Sequence, residues 1–218
     1  MTPGPGVLVS VEGVDGSGKS TQVAALSAAV TAAGRRVTVV REPGGTDVGE
    51  LLRDLVLHRH FGTPVDPWTE ALLMVAARAQ LLFEVVRPAL GRGDVVVADR
   101  FVDSTLAYQG GGRGLDQSAL RRLHRDACGD VWPDLTVLLA LPLDAAAARR
   151  RADRLPLDRM ETDVESDFGR RVADAFAALA AAEPARIAVV DAGLPAREVA
   201  ARVWDVVSSR IGAVAAVR

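Results

Sequence analysis

Residues 7–21 read VLVSVEGVDGSGKST: an apolar, β-branched run from Val7, a glycine-rich turn, and then the start of a helical pattern near Ser20. The turn fits G-x-x-x-x-G-K-[ST] at Gly13, Gly18, Lys19 and Ser20, and its place between a strand and a helix makes the pattern specific. Glycines let the backbone turn tightly, so the N–H groups of Gly16, Ser17 and Gly18 point inward at phosphate oxygens. The helix N-terminus that opens at Ser20 and Thr21 adds its partial positive charge. Lys19 is the one lysine among 26 Lys and Arg residues. A compact ammonium on a flexible stem can reach the β- and γ-phosphates of a nucleotide, whereas Arg presents a broad planar fork. Ser20 is placed to put a hydroxyl on Mg2+.

Four more β-branched runs follow: RVTVVRE from Arg36, DVVVADR from Asp94, LTVLLAL from Leu135 and RIAVVDA from Arg186. Near-continuous apolar strands alternating with helical patterns indicate an α/β fold, with a five-stranded parallel sheet covered on both faces. Helices are expected over about Ser20 to Ala33, Asp47 to Leu57, Pro67 to Leu90, Asp116 to Ala127, Leu143 to Ala152, Val164 to Ala182 and Pro195 to Ile211, each end uncertain by ~2–4 residues. With no repeat and no dividing linker, residues 1–218 read as one domain. The patches QGGGRG (Gln109 to Gly114) and RRRADRLPLDR (Arg149 to Arg159) read as excursions from it and as places for moving parts.

The remaining composition narrows the class. A hydrophobic content of 49% with 25% charged residues is that of a globular chain, and a net charge of −2 gives no general reason to bind nucleic acid. The single Cys128 is expected buried and reduced. The opening MTPGPG lacks a basic n-region, and no uncharged run approaches the ~20 residues of a membrane span. A cytoplasmic protein without membrane partners is expected.

Asp99 ends the VVVA run, where a carboxylate beside a phosphate loop can orient a metal or its waters; Arg100 follows at once. A guanine reader of the N-K-x-D type would need a second lysine, which disfavours a conventional GTPase. These residues alone leave open a kinase for one of several pyrimidine monophosphates or a deoxynucleoside, and also a nucleotide-binding regulator that transfers nothing.

Seven segments in order narrow this further: VEGVDGSGKST from Val11, REPGGT from Arg41, AAR ending at Arg78, DRF from Asp99, STLAYQGGGRG from Ser104, PDLTVLL from Pro133 and LDRMET from Leu157. Over nearly its full length the chain resembles the bacterial thymidylate kinase (dTMP kinase) family of P-loop nucleoside-monophosphate kinases. The resemblance implies a mobile Arg-rich lid at about residues 149–160, a homodimer packed through helices, and transfer of the γ-phosphoryl group of MgATP to the 5′-phosphate of dTMP. It further implies that Asp15 lies near the acceptor's 3′-OH and phosphate, that Arg100 holds that phosphate, and that Arg41 shapes the same pocket. Arg78 would hydrogen-bond the thymine edge, Thr105 and Gln109 would flank base and sugar, and Tyr108 would crowd the ribose 2′ position. The phosphate loop has Gly16 and Ser17 where some members carry an arginine, so the catalytic cation would come from the lid, at Arg150 or Arg154. Met74 stands where the family generally has a base-stacking Phe, and can cover a pyrimidine face through its thioether.

Overall fold

Five strands, β1 (Val7–Glu12), β2 (Val37–Arg41), β3 (Val95–Asp99), β4 (Leu135–Ala140) and β5 (Ile187–Asp191), pair in parallel in the order β2-β3-β1-β4-β5. They belong to a computed structural model that describes residues 6–59, 61–152 and 167–217. Arg154, the LDRMET segment and most of the Arg-rich patch lie outside the described residues. β1 is buried along its whole length because helices cover both faces, which explains its unbroken apolar run.

The two faces of the sheet are covered by different helices. Val7, Val9 and Val11 pack against Val23, Leu26 and Val30 of α1 (Lys19–Ala32) and against Val199, Val203 and Val207 of α9 (Ala196–Val217). On the other face Leu8, Val96 and Ala98 meet Leu81, Leu82, Val86, Phe101 and the buried Cys128. These come from α3 (Pro67–Leu81), the wide π turn Leu82–Val86, the segment after β3, and α6 (Gln117–Cys128). α2 (Asp47–Arg53), α4 (Arg87–Gly91), α5 (Val102–Thr105), α7 (Leu143–Ala152) and α8 (Asp167–Ala182) complete the described elements. No helix among the described residues is long and apolar enough to cross a membrane.

Three expected elements differ in detail. The single helix expected over Pro67 to Leu90 widens into a π turn before α4. The widening falls where the ring of Pro88 would crowd the carbonyl four residues earlier and cannot donate to it. The helix expected over Asp47 to Leu57 likewise ends in a π turn, Asp54–His58.

The larger difference is QGGGRG, which reads as a loop excursion but is helical and packed. α5 runs directly into the π turn Leu106–Gly112, where Gln109 is buried beside Glu70 of α3, Gly110 against Gln117 and Leu120 of α6, and Gly112 against Phe168 and Val172 of α8. A Cβ on Gly111 would lie 2.3 Å from the Cβ of Ala175, so the glycine serves backbone-to-helix contact there. Arg171 of α8 donates to Gly112 O at 2.8 Å, and Arg113 reaches the buried Glu70 of α3 at 3.2 Å.

His124 of α6 is buried in the core of this face. Its ring sits edge-on to Trp132 with centroids 4.6 Å apart, and Nε2 contacts Val131 O at 3.0 Å, which requires a proton on Nε2. Burial, seconded by the positive charge of Arg78, lowers its pKa to about 4. The unfolded chain takes up this proton near pH 6.5 and the folded chain only near 4, so stability is intact above that window and is lost as pH falls through it. Between pH 7 and pH 5 the wild-type protein should lose about 2 kcal/mol more unfolding free energy than His124→Gln, by urea denaturation; equal losses would exclude His124 as the cause.

Candidate active site

Much of the site leaves the C-terminal edges of strands, which is where open α/β sheets bind ligands. Residues 13–19 follow β1, Asp99 and Arg100 end β3, Arg41 ends β2 and Ala192 follows β5. Together they line a cleft of about 1070 Å³.

The phosphate loop turns as its glycines permit. Gly16 has φ +86°, and a Cβ there would meet the carbonyl of Ala146 on α7 at 2.4 Å, so α7 rests directly on the loop. Lys19 folds back over it and donates to Gly13 O at 3.1 Å, Val14 O at 2.9 Å and Asp15 Oδ1 at 3.2 Å. Burial lowers the pKa of its ammonium, and so does the nearby Arg100; Asp15 and Asp99 oppose them.

Arg100 faces Lys19 across Asp15. Nη2 pairs with Asp15 Oδ1 and donates to the Tyr108 hydroxyl at 3.2 Å, while Tyr108 donates to Asp15 Oδ2 at 2.8 Å. Nη1 donates to Gly13 O and to Ser104 Oγ, both at 3.0 Å. Burial alone would lower the pKa of Arg100, but Asp15 leads a set of neighbours that hold it above its ordinary value. Its backbone is left-handed, φ +69°, the one non-glycine case among the described residues. Such a conformation costs about 1–3 kcal/mol and persists only where the surroundings enforce it.

At the other side of the loop Ser20 donates to Asp99 Oδ2 at 2.9 Å. Among the described residues no cluster of three or more His, Cys, Asp or Glu could hold a metal ion. Two adjoining hard oxygens do fit Mg2+, which takes few protein ligands and fills its shell with phosphate oxygens and water.

Of the residues expected on the acceptor side, Asp15, Arg41, Met74, Arg100 and Tyr108 line the cleft, and Arg78, Thr105 and Gln109 do not. Arg41 binds Glu50 at 2.8 Å, and Glu50 also accepts Gly45 N at 2.7 Å, so this pair holds the turn that follows β2. Arg78 is buried, with Nε on Glu42 Oε2 at 2.7 Å and Nη2 on Thr105 Oγ1 at 2.8 Å; its Nη1 is a buried donor without a partner. Gln109 is also buried and donates to Glu70 at 2.9 Å. On the donor side residues 16–21 and Arg150 line the cleft.

The sequence reading missed the strap from Ala192 to Ala196, which lines the cleft beside the phosphate loop. Gln22 donates to Ala196 O at 3.2 Å and Arg149 to Ala192 O at 2.9 Å, tying the strap to α1 and α7. The rule that ligands gather at strand ends, applied to β5, would have found it.

Sheet order, cradle and facing cations define the class: a P-loop phosphotransferase with the fold of the nucleoside-monophosphate kinases. Residues 11–203 match the family model described as thymidylate kinase. The chain is 50% identical over 200 residues to the thymidylate kinase of Thermomicrobium roseum, covering 92% of this chain and 93% of that protein. It is 46% identical over 209 residues to that of Deinococcus radiodurans, covering 94% and 98%. The crystal structure of thymidylate kinase from Ehrlichia chaffeensis superposes with a TM-score of 0.76 at 29% identity, over 93% of this chain and 99% of that one. The chain belongs to the thymidylate kinase family.

The buried Arg78–Glu42 pair sets a stability prediction. Burial raises the pKa of Glu42 while Arg78 opposes the rise, so each group depends on the other for compensation. Glu42→Ala should cost about 3–5 kcal/mol by leaving the guanidinium uncompensated, and a Glu42→Leu/Arg78→Met double variant should recover most of it. Urea denaturation of the three proteins checks this; a Glu42→Ala protein of wild-type stability would contradict it.

Proposed function

We propose that the chain transfers the γ-phosphoryl group of MgATP to the 5′-phosphate of dTMP, giving dTDP and ADP. The observation that carries this reading is one cleft with two cations at one sheet edge, Lys19 in the loop and Arg100 after β3, joined by Asp15. Family membership supplies the identity of the acceptor.

The acceptor is already a phosphate monoester, so an anionic oxygen is available near neutral pH without a strong base. What remains is to align two charged groups and to stabilise a loose in-line transfer. The backbone N–H groups of Gly16, Ser17 and Gly18, with Lys19, would hold the donor phosphates, and Arg100 would hold the acceptor in line. Arriving phosphates would replace Asp15 on both cations and leave it beside the acceptor's 3′-OH and phosphate. Bound Mg2+ would neutralise charge on the donor phosphates, held by Ser20 and Asp99. Met74 would cover the pyrimidine, and Tyr108 would stand where a ribose 2′-OH would project. Arg78 lies one helical turn from Met74 with a donor to spare, which supports hydrogen bonding to the thymine edge. Thr105 would hold that guanidinium, and Gln109 would brace the turn through Glu70.

Arg150, on the donor side, and Arg154 would bring the cations of a lid at about residues 149–160 of a single domain. Closure would exclude the water that competes as acceptor. The reading places the enzyme in the cytoplasm, with ATP and dTMP as partners and neither nucleic acid nor membrane. A homodimer is part of it: Leu51 at 74%, Phe83 at 69% and Leu72 at 51% exposure lie on α2, α3 and the π turn after α3. Exposed apolar side chains of this kind suit burial against a second copy.

Two measurements test these readings. In a coupled assay of ADP release with dTMP, dUMP, UMP and thymidine, dTMP should be preferred. Lys19→Ala and Arg100→Ala should each lose on the order of 10²–10³ in rate with the fold intact; full turnover in folded Lys19→Ala, or preferred turnover of thymidine, would overturn the assignment. In sedimentation, Phe83→Glu/Leu72→Arg should shift the protein from dimer to monomer, and a wild-type monomer would remove the dimer.

A further inference from the structure

We infer that Glu12, a buried carboxyl on β1 that does not line the cleft, is a positioning residue that holds the left-handed turn at Arg100 and so aims its guanidinium at the acceptor phosphate. The inference rests on the reading above that Arg100 holds that phosphate. Glu12 Oε1 accepts the backbone N–H of Phe101 at 2.7 Å, and Oε2 is hydrogen-bonded to Ser104 Oγ at 2.6 Å. Ser104 Oγ in turn accepts Arg100 Nη1 at 3.0 Å. One carboxyl therefore grips both the backbone immediately after Arg100 and, through a single hydroxyl, the far end of the same side chain. The Arg100 N–H is fixed as well, donating to Val11 O at 3.1 Å on the strand that carries Glu12. An unsupported arginine would relax to negative φ and swing its guanidinium off the line that Asp15 and Tyr108 now mark.

The surroundings suit a neutral clamp. Asp103, the next carboxylate on α5, is bound bidentately by Arg186 at 2.7 and 2.8 Å and accepts Thr136 Oγ1 at 2.7 Å. Arg100 is committed to Asp15. Glu12 thus shares the charge of Arg100 with Asp15, and that charge only partly opposes its burial. Burial, seconded by Asp103, raises its pKa to about 8, so it keeps its proton at neutral pH. Gln is then the conservative replacement, accepting from Phe101 and donating to Ser104.

Steady-state kinetics of Glu12→Ala, Glu12→Gln, Arg100→Ala and the Glu12→Ala/Arg100→Ala double variant test this at pH 7. Glu12→Ala should lose on the order of 10–10² in kcat/KM for dTMP, a part of what loss of Arg100 itself costs, with the KM for ATP within about twofold. Glu12→Gln should restore kcat/KM to within about threefold of wild type, and the Glu12→Ala loss should vanish once Arg100 is absent. Wild-type kcat/KM in folded Glu12→Ala, an equal rise in both KM values, failure of Gln to rescue, or a loss that persists in the double variant would overturn the inference. A silent Arg100→Ala would instead overturn the reading on which it rests, and Glu12 with it. Should Glu12→Ala not fold, Ser104→Ala carries the same expectation at severalfold size, and wild-type kinetics there would overturn it.

Discussion

Two positive charges face each other at one sheet edge, and a single carboxylate lets them do so. Lys19 and Arg100 both contact Asp15; burial lowers the pKa of Lys19 and the charge of Arg100 lowers it further, a repulsion that Asp15 opposes. Asp15 is near both because the strand order puts β1 beside β3, so that the loop after one meets the residue after the other. Topology sets the distance between the cations, and the carboxylate makes that distance tolerable.

Around this centre the polar groups are arranged in depth. Asp15 and Tyr108 meet Arg100 in the cleft, Ser104 and Glu12 meet it from below, and Asp103, Thr136 and Arg186 secure the short helix that carries Ser104. The helical run of α5 and the π turn that continues it is too short to be stable on its own. Its place is fixed by buried hydrogen bonds to β1 and β4, which themselves lie at the centre of the sheet.

The five strands and the phosphate loop were legible because their signals are local: β-branched runs with two buried faces, and glycines at fixed spacing before Lys19. α1, α6 and the start of α7 were read to within a residue, but α9 runs six residues past its expected end and α5 was not expected at all. What escaped the sequence depends on distant partners. QGGGRG has the composition of a loop, and only neighbours elsewhere in the chain turn its glycines into a packing surface: Leu120 at Gly110, Ala175 at Gly111, and Phe168 and Val172 at Gly112. Gln109 looks like a polar site residue until Glu70 is found beside it. The strap after β5 has no motif at all, since residues such as Ala192 and Gly193 carry no polar side chain that would mark it.

The approach of Gly111 to Ala175 has an evolutionary consequence. Any side chain at position 111 meets Ala175 Cβ at 2.3 Å and the backbone O of Arg171 at 3.0 Å, and Ala175 can shrink only to glycine, at a cost of about 1 kcal/mol in the middle of a helix. The two sites are therefore epistatic, and neither can drift alone. A lineage that altered this corner would have to cross a destabilised intermediate, so the glycine run beside Tyr108 should outlast much of the surface around it.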